Sequence, residues 1–290
     1  MTTHDLLVIG GGTGNNLPMA ASRRGLDVAL VEKGPLGGTC LTRGCDPSKT
    51  LLHRADIVEQ IRRSSEFGID TDVRDANFER IIDESNRPWD EKARRIEENL
   101  RDLDGFTLYK AEGQFVDDRG FVETNEYLET SAENVWAFGD AIGGPQFRHT
   151  ANHESQVVFR NAVRDRRDAV DYTGNSHAIF SAPEVASLGQ TEQELEANDR
   201  DYATGRKEFT EVAMGTALKD EDGFVKVLAD PDDGEILGCH VLGSDASTLI
   251  HEVAVAMTAG DGTVADVEDT IHIHPALSEV VEGAFENVSE

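Results

Sequence analysis

Short apolar runs and helical periodicities alternate along the first half of the chain. Asp5-Leu-Leu-Val-Ile9 and Asp27-Val-Ala-Leu-Val-Glu32 both read as short buried strands, since brief apolar runs bounded by turn residues suit strands covered on two faces. Between them the pattern predicts a helix from about Asn16 to Arg24, ended by Gly25. Strand, helix and strand in that order make a βαβ unit and place the chain in the α/β class. Pro47 fits the first turn of a further helix, Ser48 to Ala55. Residues 76–103 read as helical, with Phe78, Ile81, Ile82, Trp89, Ile96 and Leu100 as apolar positions and Pro88 expected to kink or split the helix. Phe106 to Val116 is strand-like. Phe121–Glu129 and Ala132–Asp140 follow, the second read as a strand ending in Gly-Asp, and a helix is expected over about 151–164. From Ala178 onward, strands alternate with polar turns, a long apolar helix follows, and Pro275 is expected to start the last helix.

Charge changes the picture next. The 290 residues carry 27 basic and 56 acidic side chains, a net charge of −29. A field of that sign repels nucleic acid and anionic membrane surfaces, so neither is an expected partner. Only 7 of the basic residues are Lys, the acids are spread throughout, and hydrophobic residues remain at 38%. A uniformly acidic, Lys-poor surface over an ordinary core reads as adaptation to a salt-rich, halophilic cytoplasm, where screening quiets self-repulsion. No run approaches a membrane span, and Leu6–Ile9 is too short for a leader. A cytoplasmic protein is expected.

Chemistry is concentrated in four places. In Gly37-Gly38-Thr39-Cys40-Leu41-Thr42-Arg43-Gly44-Cys45-Asp46-Pro47-Ser48-Lys49, two of only three cysteines stand with four residues between them. A ring that small gains little from cross-linking, so it suits a bond that opens and closes. A helix N-terminus beside Cys45 and the charge of Lys49 favour a thiolate. Spacing alone leaves a redox pair and two incidental core thiols both open. In the second place, Gly10-Gly11-Gly12-Thr13-Gly14-Asn15 turns from strand to helix and Glu32 closes the next strand. That order suits a dinucleotide, with glycines for close approach, a helix N-terminus for the pyrophosphate and an acid for ribose hydroxyls, although Asn15 replaces the third glycine. Third, Gly139-Asp140 puts an acid at a strand's carboxyl end, as a ligand group or a turn residue. Fourth, His272, His274 and Glu279 stand together near the last helix. A carboxylate bonded to an imidazole orients it and stabilises its charged form. No further ligand set supports a metal there, and Cys239 reads as an inert core thiol.

Taken together, "VIGGGTGNN", "GGTCLTRGCDPSK", "TSAENVWAFGDAIGG" and "IHIHPALSEVVEGAF" resemble the FAD-dependent pyridine nucleotide–disulfide oxidoreductases. That class includes dihydrolipoamide dehydrogenase and the mycothione-, glutathione- and mercuric-reductase-like enzymes. The resemblance implies a Rossmann-like FAD-binding domain over residues 1–170 and an α+β dimerisation domain over 177–290. It implies that Cys45 lies against the flavin, that Cys40 exchanges with substrate, and that Lys49 sits near the flavin N5. Gly10, Gly12, Thr13, Gly14, Glu32, Lys33, Gly38, Thr39, Gly139 and Asp140 would hold FAD, with Asp140 on the ribityl chain. His274 and Glu279 would reach the partner subunit of a homodimer as acid/base for the exchange thiol. Asp46 departs from the family pattern, and an acid there opposes a thiolate at Cys45.

One family part is missing. A complete NAD(P)-binding domain normally stands between the two FAD motifs, flanked on each side by a further FAD-domain strand, yet here the chain passes straight through 117–121. No second glycine-rich βαβ unit lies between Gly105 and Val135. NAD(P), the family's usual co-substrate, therefore lacks its domain, and the electrons are expected from a separate donor protein or a diffusible partner. The substrate class is a small dithiol or disulfide. Mercuric-reductase chemistry is disfavoured, because the Glu286–Glu290 end carries no extra cysteine pair. The alternative is a non-catalytic FAD-binding thiol switch, or an inactive, internally deleted relative.

Overall fold

In the computed structural model, which describes residues 3–113 and 120–289, the chain divides into two compact units, Met1–Val170 and Asp171–Glu290. The deletion point expected near 117–121 falls largely outside the described residues.

The first unit is built on the predicted βαβ motif. β1 (Leu6–Ile9) pairs in parallel with β2 (Val28–Val31), and the helix α1 (Asn16–Ser22) joins them. β3 (Phe106–Tyr109) adds in parallel on the other side of β2, giving the order β1-β2-β3. Val28, Ala29 and Leu30 of the central strand are wholly buried, as expected where neighbours stand on both sides. On the edge strand β1, Leu7 and Ile9 share one face and remain 57% and 50% exposed. Val8 points the other way, into a cluster with Leu17, Leu30, Leu36, Leu100, Leu128, Val157 and Val158.

Between β2 and β3 the chain makes α2 (Gly38–Thr42), α3 (Cys45–Arg63) and α4 (Phe78–Arg101). Two expectations change here. The third helix begins at Cys45 rather than at Ser48 and runs well past Ala55, which puts Cys45 in its first turn. The fourth is not split at Pro88 but continues for 24 residues. Leu100 and Ala93 anchor its second half in the core, and Trp89 Nε1 donates to Thr50 Oγ1 of α3 at 3.1 Å, so tertiary contacts hold the helix where propensity would break it. Phe78 and Ile82, expected as apolar contacts, are exposed.

After residue 119 the structure departs from the sequence pattern again. Ala132–Asp140 is not a strand of the sheet; its only pairing among the described residues is an isolated antiparallel bridge between Trp136 and Glu129. The segment folds back on itself, with Thr130 N–H donating to Val135 and Ala137 N–H to Leu128 carbonyls. Local bonds thus occupy the backbone groups that a sheet would have used. Gly139–Ile142 forms a single 3-10 turn, and α5 (Arg148–Arg164) starts three residues earlier than predicted.

The second unit is an antiparallel sheet whose main core lies on the face covered by the last helices. Its strands are β4 (His177–Ile179), β5 (Glu184–Gly189), β6 (Ala203–Glu208), β7 (Phe224–Ala229) and β8 (Ile236–Gly243), in the order β4-β5-β8-β7-β6. α6 (Glu192–Ala197) and α7 (Ala213–Leu218) fill connections; α8 (Ala246–Ala259), α9 (Ala265–Glu268) and α10 (Ser278–Glu286) follow the sheet. Alternate residues Ala186 and Leu188, Val225 and Val227, Cys239 and Val241 face Ile250 and Val253 of α8 and Val280, Val281, Ala284 and Phe285 of α10. Cys239 is indeed a fully buried core thiol. The last helix starts at Ser278, so Pro275 precedes it, after a cis peptide with His274.

Candidate active site

The first unit assembles the glycine turn, the cysteine loop and the Gly139-Asp140 turn. Gly10 N–H donates to Val31 O at 2.9 Å and Gly37 N–H to Gly11 O at 2.7 Å, which ties the cysteine loop to the turn after β1. A side chain at Gly38 would stand 2.8 Å from Gly12 Cα, and its φ is +66°, so this close approach requires glycine. Gly139 lies against the same turn: a Cβ there would be 3.9 Å from Thr13 Oγ1 and 3.2 Å from Ala151 Cβ. Residues more than a hundred positions apart therefore share one place.

The turn fits a dinucleotide. Beside Gly10 and Gly12 nothing comes within 4 Å of where a side chain would project, so open space lies against the backbone there. Glu32 accepts from Gly11 N–H at 2.7 Å and Gly34 N–H at 2.6 Å. A carboxylate has lone pairs left after two such bonds, so Glu32 can still receive ribose hydroxyls. Asn15 is buried, and its side-chain amide donates to Gly11 O at 3.4 Å, so it braces the turn in place of the third glycine. Lys33 is paired with Glu112 at the surface. Asp140, Thr39 and Lys49 are exposed at their turn and helix positions. These residues would hold an FAD.

Cys40, in α2, and Cys45, opening α3, are two free thiols close enough to hydrogen-bond. Cys40 is half-buried and Cys45 exposed. Burial and the Cys45 sulfur push the Cys40 thiol up to about 12, with a smaller push from Asp46, while the Arg148 guanidinium pulls the other way. Cys40 also lines a cavity of about 620 Å³, together with Asn16, Lys92, Arg148, Asn152 and Gln156; Cys45 does not line it. The two sulfurs thus differ in what they face.

Sequence reasoning missed several of these groups. Arg148 opens α5 and donates from Nη1 to Gly37 O at 3.1 Å. Glu154 is almost wholly buried and accepts Gly139 N–H at 2.6 Å, which fixes the turn that carries Asp140. Its signal was legible: Glu154 stands one helical turn from Ala151 and Val158 on the face that packs inward.

His274 and Glu279 belong to the second unit. His274 Nδ1 and Glu279 Oε1 are 2.7 Å apart, and Glu279 Oε2 accepts Ala276 N–H at 2.9 Å. These bonds hold the Glu279 carboxyl below its usual range. The His274 side chain is 73% exposed, so Nε2 faces outward on an oriented ring. His272 is a packing residue: its buried ring lies 3.3 Å from Glu252 and 3.5 Å from Glu282. Among the described residues no group of three or more His, Cys, Asp or Glu is placed to hold a metal, and no helix is long and apolar enough to cross a membrane.

Residues 176–285 match the family described as pyridine nucleotide-disulphide oxidoreductase, dimerisation domain, and residues 103–155 match the family described as pyridine nucleotide-disulphide oxidoreductase. A dihydrolipoyl dehydrogenase of Halobacterium salinarum is 30% identical over 289 residues, covering 97% of this chain and 60% of the relative. A mycothione reductase of Mycobacterium tuberculosis is 36% identical over 184 residues, covering 61% of this chain and 40% of the relative. The chain therefore spans at most about three fifths of the length of these relatives. Among solved structures, the HOCl-induced flavoprotein disulfide reductase RclA from Escherichia coli superposes with a TM-score of 0.82 at 16% identity, covering 98% of this chain and 100% of that one. LpdA from Mycobacterium tuberculosis gives 0.83 at 13% identity, covering 97% and 99%. At such identities these structures establish the fold.

Proposed function

We propose, from the premise that the chain belongs to the pyridine nucleotide–disulphide oxidoreductases, that it is an FAD-dependent thiol–disulfide oxidoreductase working through Cys40 and Cys45. The observation that carries this is the asymmetry of the pair: Cys40 faces the cavity, whereas Cys45 is exposed outside it at the start of α3. Because Cys40 holds its proton tightly, exchange needs a base. The His274–Glu279 pair of a second copy supplies it, an imidazole oriented through Nδ1 with Nε2 outward.

In the reducing direction, Cys40 gives its proton to that imidazole and its sulfur attacks one sulfur of the substrate disulfide. The substrate S–S bond breaks, and the leaving thiolate takes the proton. Cys45 then gives up its proton as its sulfur attacks Cys40 sulfur; the mixed disulfide breaks, and the second substrate thiolate leaves and takes up that proton. The substrate has gained two electrons and the pair has become a disulfide. The turn of Gly10 and Gly12, with Glu32 and Asp140, would hold FAD, which would supply a two-electron carrier for that disulfide, with an external donor, either NAD(P)H or an electron-carrier protein, as the source. Dimer formation is supported by the exposed apolar side chains Ile271 (97%), Ile273 (76%) and Val255 (60%) around the loop that carries His274.

A second reading, a thiol switch with FAD as structural ligand, is favoured by the uncovered face of β1. The test loads the chain with FAD and adds dithiothreitol, NADH and NADPH separately while the flavin absorbance is followed. Dithiol is expected to bleach the flavin, and Cys45→Ser to abolish that. Persistence of bleaching in Cys45→Ser would overturn the redox assignment, and failure of the wild type to bleach favours the switch.

A further inference from the structure

The loop that carries His274 holds a second histidine, and that ring is turned the other way. Between Thr270 and Pro275 every residue but His272 is exposed, whereas the His272 side chain is 4% exposed. Packing alone would suit an apolar side chain, yet three acceptors surround this ring. Nδ1 lies 2.9 Å from Thr270 O and 3.5 Å from Glu282 Oε1, and Nε2 lies 3.3 Å from Glu252 Oε2. A carbonyl oxygen only accepts, so Nδ1 carries its hydrogen and the ring has one orientation. Glu252 in turn depends on the ring. Burial pushes its carboxyl up, His272 pulls it down, and its Oε1 is buried with no hydrogen-bond partner among the described residues. The supports on both sides are fixed: Glu252 of α8 adjoins Val253, Glu282 of α10 adjoins Val281, and both valines are wholly buried. α10 also meets both histidines. Glu279 holds His274 at 2.7 Å, and Glu282, three residues on and so on the same side of the helix, faces His272. A slip of the loop along α10 would break both contacts at once.

We propose that His272 is a positioning residue for the acid/base step: its ring, held between α8 and α10, sets the place of the loop and so the place from which His274 Nε2 is presented. This rests on the reading that His274 serves the exchange at Cys40. Glu279 fixes the His274 ring and the Ala276 N–H behind it. Ahead of His274, residues 271–273 have no backbone hydrogen bond among the described residues, so the His272 side chain is what ties that stretch down. The buried ring reaches the reacting sulfurs only through His274. Misplacing a reacting group by about 1 Å can cost roughly a hundredfold in rate.

The test uses the full chain, pre-reduced and freed of reductant, with 2-hydroxyethyl disulfide as an uncharged probe. The probe becomes two thiols as Cys40 and Cys45 become a disulfide, and formation of that bond is followed by mass. His274→Ala is expected to slow it by about a hundredfold. His272→Phe, which keeps a ring of similar bulk, is expected to slow it by about tenfold. In the His274→Ala chain, His272→Phe should cost nothing more, which separates a residue acting through His274 from one that only supports the fold. His272→Asn, still able to donate to Thr270 O, is expected to recover most of the loss. Should His272→Phe fail to fold, Glu282→Gln is carried through the same cycle, with a severalfold loss expected when His274 is present and none when it is absent. A wild-type rate in His272→Phe beside a slow His274→Ala, equal losses with and without His274, or no recovery in His272→Asn overturns the proposal. So does a His272→Phe chain that is monomeric by light scattering where the parent is a dimer. A wild-type rate in His274→Ala overturns the reading beneath it.

Discussion

β2 in the first unit and β8 in the second are both central strands, yet their surroundings differ. β8 is eight residues long and lies between two antiparallel neighbours, β7 just before it in sequence and β5 much earlier; its inward residues meet two apolar helices. β2 is four residues long and draws its partners from both ends of a span of about a hundred residues. The sheet around β8 has its inner face closed by α8 and α10, whereas beside β2 the strand β1 leaves Leu7 and Ile9 half in water. The antiparallel run β6-β7-β8 recruits its strands from consecutive chain, whereas the parallel sheet depends on connections that carry whole helices.

The largest test of that contrast is Phe285→Ala. Phe285 is almost wholly buried in the second core, so its loss should cost that unit about 3–5 kcal/mol in denaturant unfolding. FAD uptake by the first unit should be unchanged; a parallel loss would show that the two units fold as one. Next in size, FAD at about a hundredfold over its Kd should stabilise the first unit by roughly 2.7 kcal/mol and leave the second transition in place, as calorimetry can show. Movement of both transitions together would erase the distinction.

A further test separates half-buried Cys40 from buried Cys239 by pH. Cys40 and Cys239 both ionise less readily in the fold than in the unfolded chain, where 9.0 is the ordinary value. Their contribution to stability is full below pH 9 and falls as pH rises, for Cys40 through about 12. Oxidising Cys40 and Cys45 to a disulfide removes that thiol from titration. The alkaline loss should then shrink for the first unit and persist for the second, measured as midpoint against pH for both redox forms.

Much of the candidate site was legible because its parts are short. The glycine turn, the cysteine loop and the histidine ahead of the last helix are each defined by residues within a dozen positions. β1, β2 and the alternation in β5, β7 and β8 were legible for the same reason, since period and burial agree locally. A split at Pro88 and a sheet strand over Ala132–Asp140 are not what forms, because the deciding contacts are not visible in their own patterns. Trp89 reaches Thr50, and Ala137 bonds back to Leu128 rather than joining the sheet.

By itself the sequence determined which chemistry the chain can offer: two thiols four residues apart, a turn open enough for a dinucleotide, and an acid poised to orient an imidazole. Tertiary structure alone decided which sulfur faces the cavity, that Arg148 stands by Gly37, and that Glu154 fixes Gly139. The physical reason is range. Backbone preference and periodicity act over a few residues, whereas burial, charge pairing and hydrogen-bond satisfaction are settled by whichever distant segment packs alongside.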